Sequence, residues 1–395
     1  MSALPSPSQV AAYRAPVGGP AAQACPACGA QSAADARFCG QCGATLGPAR
    51  ALAPSVADPD DGLMRSAANR VTKLAGLGEI QRFSLSDLFS EAFKRRSYDE
   101  VEQHLLAGTR LSTPDVMAVS TDWPRPWLFA RALAMALLLY GMFQLGWYIF
   151  GNSNLLPGLM ITGAFVVPGA ALILFYELNA PRNVSLLLVA RLVLMGGALS
   201  LLISLVLFEV GANLSEMLGA ASAGFIEETG KLAAVVFATR KLSTVRYRYT
   251  LNGLLFGAAV GTGFSAFETA GYAFNFLLKG GADNMTNIIL VRGVLSPFGH
   301  TVWTAIAAAA LWRIKGARSF KAVMLGEGAF LRLLLLAMAC HFTWNASFEL
   351  FVPFLKQLLL GGFAWVVAFS LVQDGLRQVK AEQRVAAGLK PVPEA

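Results

Sequence analysis

Glu227, Glu228, Glu268, His300 and His341 are ionisable residues embedded in long apolar runs. A charged side chain at the centre of a bilayer costs ~2.5–3.5 kcal/mol or more on insertion scales. Helices that carry such groups therefore turn them toward one another and away from acyl chains. Carboxylates and imidazoles gathered in a dry site supply what metal binding or acid–base catalysis requires. Glu227 and Lys231 are four residues apart and share a helix face, while Glu228 lies about 100° further round. A packing ion pair between Glu227 and Lys231 would account for one acid and one base and leave Glu228 unexplained. Two adjacent carboxylates can instead hold a water and carry its proton.

Gly253, Gly257, Gly261 and Ser265 recur every four residues, a small-residue stripe that admits close approach of another backbone. Glu268 falls in the middle of that stripe and is expected to face protein, with Phe264 one turn before it and Tyr272 one turn after, placed to orient it. His300 follows Ser296-Pro297-Phe298-Gly299, where the proline removes a backbone donor and loosens the helix. Arg292, upstream, is available to a carboxylate. His341 shares a face with Asn345, whose amide is suited to a developing oxyanion. A single histidine on an apolar helix more often packs than reacts. Two of the chain's three histidines beside three carboxylates tip that balance toward function. His104 reads as a surface residue and Cys340 as a small buried hydrophobe.

These residues need long helices to position them. The chain of 395 residues is 55% hydrophobic and 14% charged, against about 25% charged in soluble domains. The deficit falls on residues 123–372, which are expected to form an all-α polytopic membrane domain. About eight transmembrane helices, at 127–150, 155–176, 184–208, 217–238, 250–278, 290–312, 329–350 and 353–372, are each close to the length that crosses a ~30 Å hydrocarbon core. Pro157 and Pro168 are positioned to kink the second. Arg240, Lys241, Arg246 and Arg248 occupy one loop and Arg313, Lys315, Arg318 and Lys321 another, while the intervening loops are poor in base. This alternation predicts an integral membrane protein with both termini cytoplasmic, and residues 373–395 as a cytosolic tail. The net charge of +8 is thereby an orientation signal, and nothing in it marks nucleic-acid binding.

Residues 1–24 read as a disordered Ala/Pro/Gly-rich lead without a secretory signal pattern. Cys25, Cys28, Cys39 and Cys42 form two knuckles, and four thiolates so spaced suit a structural zinc site, here a small zinc ribbon at 25–43. Two disulfides would need an oxidising compartment. Residues 44–62 read as a linker. Residues 63–122 read as a short helical cytosolic region, with Ser84 or Ser86 and Ser97 as caps, that serves either as a docking element or as a spacer lying against the membrane.

Four motifs in chain order, one per span, carry a resemblance: Glu-Glu-x-x-Lys at 227–231, Phe-x-x-x-Glu at 264–268 with Tyr272 following, Arg292 leading to His300, and His-x-x-x-Asn at 341–345. From about 125 to 350 the chain resembles the PrsW family of membrane-embedded proteases and, at greater distance, the CAAX-protease and bacteriocin-processing group. The resemblance implies hydrolysis of peptide bonds in membrane-anchored substrates, such as anti-sigma-factor-like regulators, in a bacterial cytoplasmic membrane. It implies a glutamate-activated water, and of the two adjacent acids Glu228 is expected ahead of Glu227 as the base. Glu268, His300 and His341 would bind metal or stabilise the transition state, supported by Lys231, Tyr272, Arg292 and Asn345. His300, His341 and Glu268 would form three ligands of a catalytic zinc with an open position, and a metal-free version would use the same residues. No His-Glu-x-x-His helix is present, so separate helices must assemble the site. The ribbon lies outside the resemblance and is expected to bind a cytosolic protein or brace the membrane domain.

Two other classes remain open to this sequence. A proton-coupled transporter or channel would use buried acids and histidines as a relay, although no internal repeat is evident. A protease-derived scaffold without activity would keep the motifs and bind partners through the ribbon. Metal analysis tests the ribbon directly: the purified chain should carry a zinc that is lost when residues 1–62 are removed. Equal zinc content in the two forms would remove the ribbon, and zinc that survives truncation would mark a second site.

Overall fold

The computed structural model describes residues 23–24, 31–32, 59–80 and 83–389. The chain divides into two units, Met1–Gly62 and Leu63–Ala395. In the first, strand β1 (Gln23–Ala24) pairs antiparallel with β2 (Gln31–Ser32). Cys25, Cys28, Cys39 and Cys42, and with them the zinc ribbon and linker, lie outside the described residues. Helix α1 (Pro59–Leu74) runs from the end of this unit into the second.

The second unit is built from helices. They are α2 (Tyr98–Leu105), α3 (Leu128–Phe150), α4 (Leu156–Leu178), α5 (Leu186–Arg191), α6 (Gly197–Val210), α7 (Ala212–Leu218), α8 (Ala223–Thr239), α9 (Thr250–Leu295), α10 (His300–Lys315), α11 (Gly328–Asn345) and α12 (Leu355–Ala386). Among the described residues, five stretches are long and apolar enough to cross a membrane: Leu128–Phe150, Ser153–Leu178, Leu186–Val210, Thr250–Lys315 and Leu355–Ala386. Their number and apolarity mark an integral membrane protein. The expectation is eight separate spans. Thr250–Lys315 contains two of the expected spans, while α8 and α11, with 17 and 18 residues, fall outside the five.

Helix α9 is not one rod. Gly280 and Gly281 leave helical geometry, and Gly281 takes φ 76°, ψ −172°, a conformation open to glycine and closed to a side chain with Cβ. The residues after this break turn back. Ala273 and Met285 share one buried cluster with Leu159 and Ile289, and Arg292 reaches Glu268 and Thr269 across the hairpin. The expected loop at 279–289 is thus a two-glycine turn inside a helical hairpin. A second break, at Ser296–Phe298 and Gly299, precedes α10, where Pro297 predicts loosening. Pro168, by contrast, sits inside an unbroken α4.

The first half of α9 and α10 form the buried centre. The small-residue stripe works as its spacing predicts: a Cβ on Gly257 would stand 2.2 Å from the Thr304 carbonyl oxygen, and one on Gly261 2.5 Å from that of His300. Only bare backbone fits there, so the two helices touch along their length.

Residues 75–80 and 83–126 pack onto the basic ends of the membrane helices. Arg246 donates to the carbonyls of Gly108, Thr109 and Asn183. Gln383 donates to those of Val116 and Val119, and Phe83 stacks on Trp123 and Phe369. His104 is correspondingly not a surface residue. Its imidazole lies against Trp127 and within 3.4 Å of Glu177. Glu177, near the end of α4, caps a neighbouring helix: its carboxylate accepts the backbone N–H groups of Trp127, Leu128 and Phe129 at 2.8–2.9 Å. These are donors that the start of α3 would otherwise leave without partners.

Glu177→Ala should therefore destabilise the protein by ~1–3 kcal/mol, the cost of leaving buried donors unmet. Thermal unfolding in detergent reads this, and an unchanged midpoint would show that the cap carries no stability.

Candidate active site

Helix α8 carries Glu227, Glu228 and Lys231 near its start. The chain does not enter as one long span from 217: α7 ends at Leu218, Gly219 takes φ 57°, and a 3-10 turn over Gly219–Ser222 intervenes. The acids therefore lie in the first turns of a short helix and not midway along a long one. Gly224 admits the backbone of α11, since a Cβ there would stand 2.5 Å from the Phe342 nitrogen. That contact sets His341 opposite Glu228. His300 opens α10, and Asn345 closes α11. Three helix ends and the middle of α9 thus meet at one level.

The side chains interlock across these helices. Lys231, fully buried, donates to Glu228 Oε1 at 2.6 Å and lies 2.8 Å from His300 Nδ1 and 3.7 Å from Glu227 Oε2. Its ammonium also sits over the Phe264 ring at 4.4 Å. The sequence pattern pairs Lys231 with Glu227 as readily, but the closer partner is Glu228. His341 Nδ1 is 2.9 Å from Glu228 Oε1. His300 Nε2 is 3.0 Å from Glu268 Oε2, and Arg292 meets the same oxygen at 2.5 Å.

Each imidazole is thus anchored to a carboxylate through one nitrogen. The network assigns the ring protons to His341 Nδ1 and His300 Nε2. The other two nitrogens face Glu227: His341 Nε2 and His300 Nδ1 lie 3.8 and 3.9 Å from its Oε2. Those distances are too long for hydrogen bonds, and Glu227 Oε2 is buried without a partner.

Three carboxylates stand here against the fixed cations Lys231 and Arg292, so one negative charge is left to be answered by a proton or a cation. Glu227, His300 and His341 each offer a ligand atom, and these lie within 4.8 Å of one another. Two imidazoles and one carboxylate form a donor set that catalytic zinc accepts with a fourth position open. The group fits these residues, with one adjustment. His300 Nδ1 is shared with Lys231, so that contact must open for the nitrogen to ligate. The converging carboxylate is Glu227, where the resemblance placed Glu268.

A cavity of about 620 Å³ opens onto this group, lined by Glu227, Glu268, Arg292, His300, His341 and Asn345. Glu228, 1% exposed, lies behind them. Tyr272 lines the cavity too, but its ring lies beneath the Arg292 guanidinium at 4.4 Å, and Glu268 is held by Arg292 and His300. Trp303 is a site residue that the motifs do not contain. Its indole stacks on His341 at 4.6 Å and meets His300 edge-on at 5.4 Å. Its spacing of three from His300 puts both on one face of α10, the one signal in the sequence that could have found it. Cys340 is buried with a free thiol, as expected.

Comparison with known proteins gives one match. Residues 180–372 fit the model of the PrsW family intramembrane metalloprotease, a segment that holds Glu227, Glu268, His300 and His341. No curated protein and no solved structure matches the chain.

Lys231→Met should leave Glu228 buried without its cation and cost ~3–5 kcal/mol. Adding Glu228→Gln to that variant should restore part of the loss. Thermal unfolding of both singles and the double measures the coupling, and strictly additive losses would refute the pairing.

Proposed function

We propose that the chain is a membrane-embedded endopeptidase that cleaves membrane-anchored protein substrates with a water activated by Glu227. The observation that carries this reading is the convergence of Glu227 Oε2, His300 and His341 on one point beside a cavity. The family match to residues 180–372 supports the reaction class.

The packing supports Glu227, and not the expected Glu228, as the base. Each acid keeps one oxygen without a hydrogen-bond partner, but Glu228 is tied to Lys231 and His341 through its other oxygen and lies off the cavity, whereas Glu227 lines it. In this reading Glu227 takes a proton from a cavity water as its oxygen attacks the scissile carbonyl carbon, and returns that proton to the departing amine. Glu228 and Glu268 hold the imidazoles in their tautomers, leaving His341 Nε2 bare toward the water while His300 Nδ1 accepts from Lys231. Asn345 on the cavity wall is placed to donate to the oxyanion as it forms. Zinc held by Glu227, His300 and His341 would instead make Glu227 a ligand, supply Lewis-acid polarisation of the carbonyl and leave the proton transfer to a second glutamate.

The site also has a side. Glu227 lies about 20 Å along α8 from Arg240, and His300 about 22 Å along α10 from Lys315, by helical rise. With the basic loops cytoplasmic, both termini on that face and about eight spans, the cavity lies in the outer third of the membrane. The substrate would then be cut close to its outer boundary. Cys25, Cys28, Cys39 and Cys42 would form a cytosolic zinc ribbon available to a protein partner.

Purified protein in nanodiscs should cleave a single-span substrate near that boundary. Glu227→Gln should reduce cleavage at least 100-fold, within the range that a general base supplies, while the melting temperature stays near that of the parent. Glu227→Gln with full activity would end the assignment. Ion flux in place of cleavage would favour a transporter.

A further inference from the structure

Residues 84–96 lie outside the site and outside the matched segment, yet they are fixed to the start of a membrane helix. Ser84 caps a 3-10 turn over Leu85–Leu88, and Leu88 and Ala92 point inward and are buried. Arg131, in the first turn of α3, donates to the Ala92 carbonyl at 2.8 Å and also to that of Lys94. The Phe89 and Phe129 rings lie 5.5 Å apart, and the Arg96 guanidinium sits over Trp127. The segment is thereby held at the level where α3 enters its apolar stretch.

Its outer face is apolar. Leu85, Phe89 and Phe93, at four-residue intervals, are 62%, 51% and 92% exposed. Large side chains so open to water mark a surface that something covers. The neighbouring surface shows what. Only 6% of the apolar window of α3 is buried, and Met135, Leu138 and Met142 on it are exposed, so α3 presents its flank to acyl chains. The stripe at 85–93 continues that flank beyond the helix end. Lys94 and Arg95 follow at once and are exposed; Lys94 is paired with Glu91 at 2.6 Å on this surface and would exchange that partner for a phosphate. Apolar rings with cations at their edge are the arrangement of an interfacial segment.

We infer that residues 85–95 form an interfacial wedge. Leu85, Phe89 and Phe93 enter the boundary between headgroups and chains, and Lys94 and Arg95 meet the phosphates of anionic phospholipid. This does not depend on the protease reading.

The test uses the full chain in nanodiscs of phosphatidylcholine and phosphatidylglycerol, with a benzoylphenylalanine cross-linker placed by Phe93→benzoylphenylalanine. Met135→benzoylphenylalanine on α3 is the lipid-facing reference, and Glu102→benzoylphenylalanine the aqueous one. Mass spectrometry after illumination should show phospholipid adducts at 93 at a yield within about twofold of 135, and none at 102. Adducts from 93 to a second copy of the chain or to its residues 1–62, or no lipid adduct at 93 while 135 reacts, would overturn the wedge. Phe89→benzoylphenylalanine provides the same readout should the first variant misfold. In the double variant Lys94→Gln and Arg95→Gln, the phosphatidylglycerol share of the adducts should fall to its share in the disc. An unchanged share would remove the role given to the cations.

Discussion

A carboxylate taken out of water needs a proton, a cation or a donor from its surroundings. Glu227, Glu228 and Glu268 sit on two helices, and their partners Lys231, Arg292, His300 and His341 come from four. The need for compensation ties α8, α9, α10 and α11 together more specifically than apolar contact does. Leu and Ile surfaces tolerate sliding, whereas Lys231 between Glu228 and His300 does not. The same ties leave two carboxylate oxygens without a hydrogen-bond partner, Glu227 Oε2 and Glu228 Oε2; of the two acids only Glu227 lines the cavity, and the chemistry proposed here begins there. Stability and reactivity thus draw on the same set of buried charges.

Much of this was legible in the residues. Burial of Glu268 followed from its place in the glycine stripe, and the backbone contacts at Gly257 and Gly261 bear that out. The break before His300 followed from Pro297. The division of labour between Glu227 and Glu228 did not follow, because adjacent residues on a helix differ by only about 100°. Which of them meets α11 depends on the approach at Gly224. Glu177 was silent for a similar reason. Its role is to cap a helix whose start lies 50 residues earlier, and no local pattern records that pairing. His104 reads as exposed only while Trp127 and Glu177 are far away in sequence.

The span count shows the other limit. Hydropathy marks where apolar runs begin and end, but not whether a run is straight. Gly280 and Gly281 fold α9 back on itself, so residues read as a polar loop are helix. The hairpin matters for the site because Arg292 reaches Glu268 only through it. Without it, Glu268 would face the cavity with His300 and no fixed cation.

One dimension of the bundle bears on where water comes from. At 17 and 18 residues, α8 and α11 are about 26 and 27 Å long, a few ångströms less than a typical hydrocarbon slab. Both stop within about a turn of the reacting groups. Lipid beside helices that stop short thins to match them, so a bilayer around this end would be drawn inward. Bulk solvent would then come close to Glu227, and the proposed hydrolysis would draw its co-substrate from that side without a water crossing the oily interior.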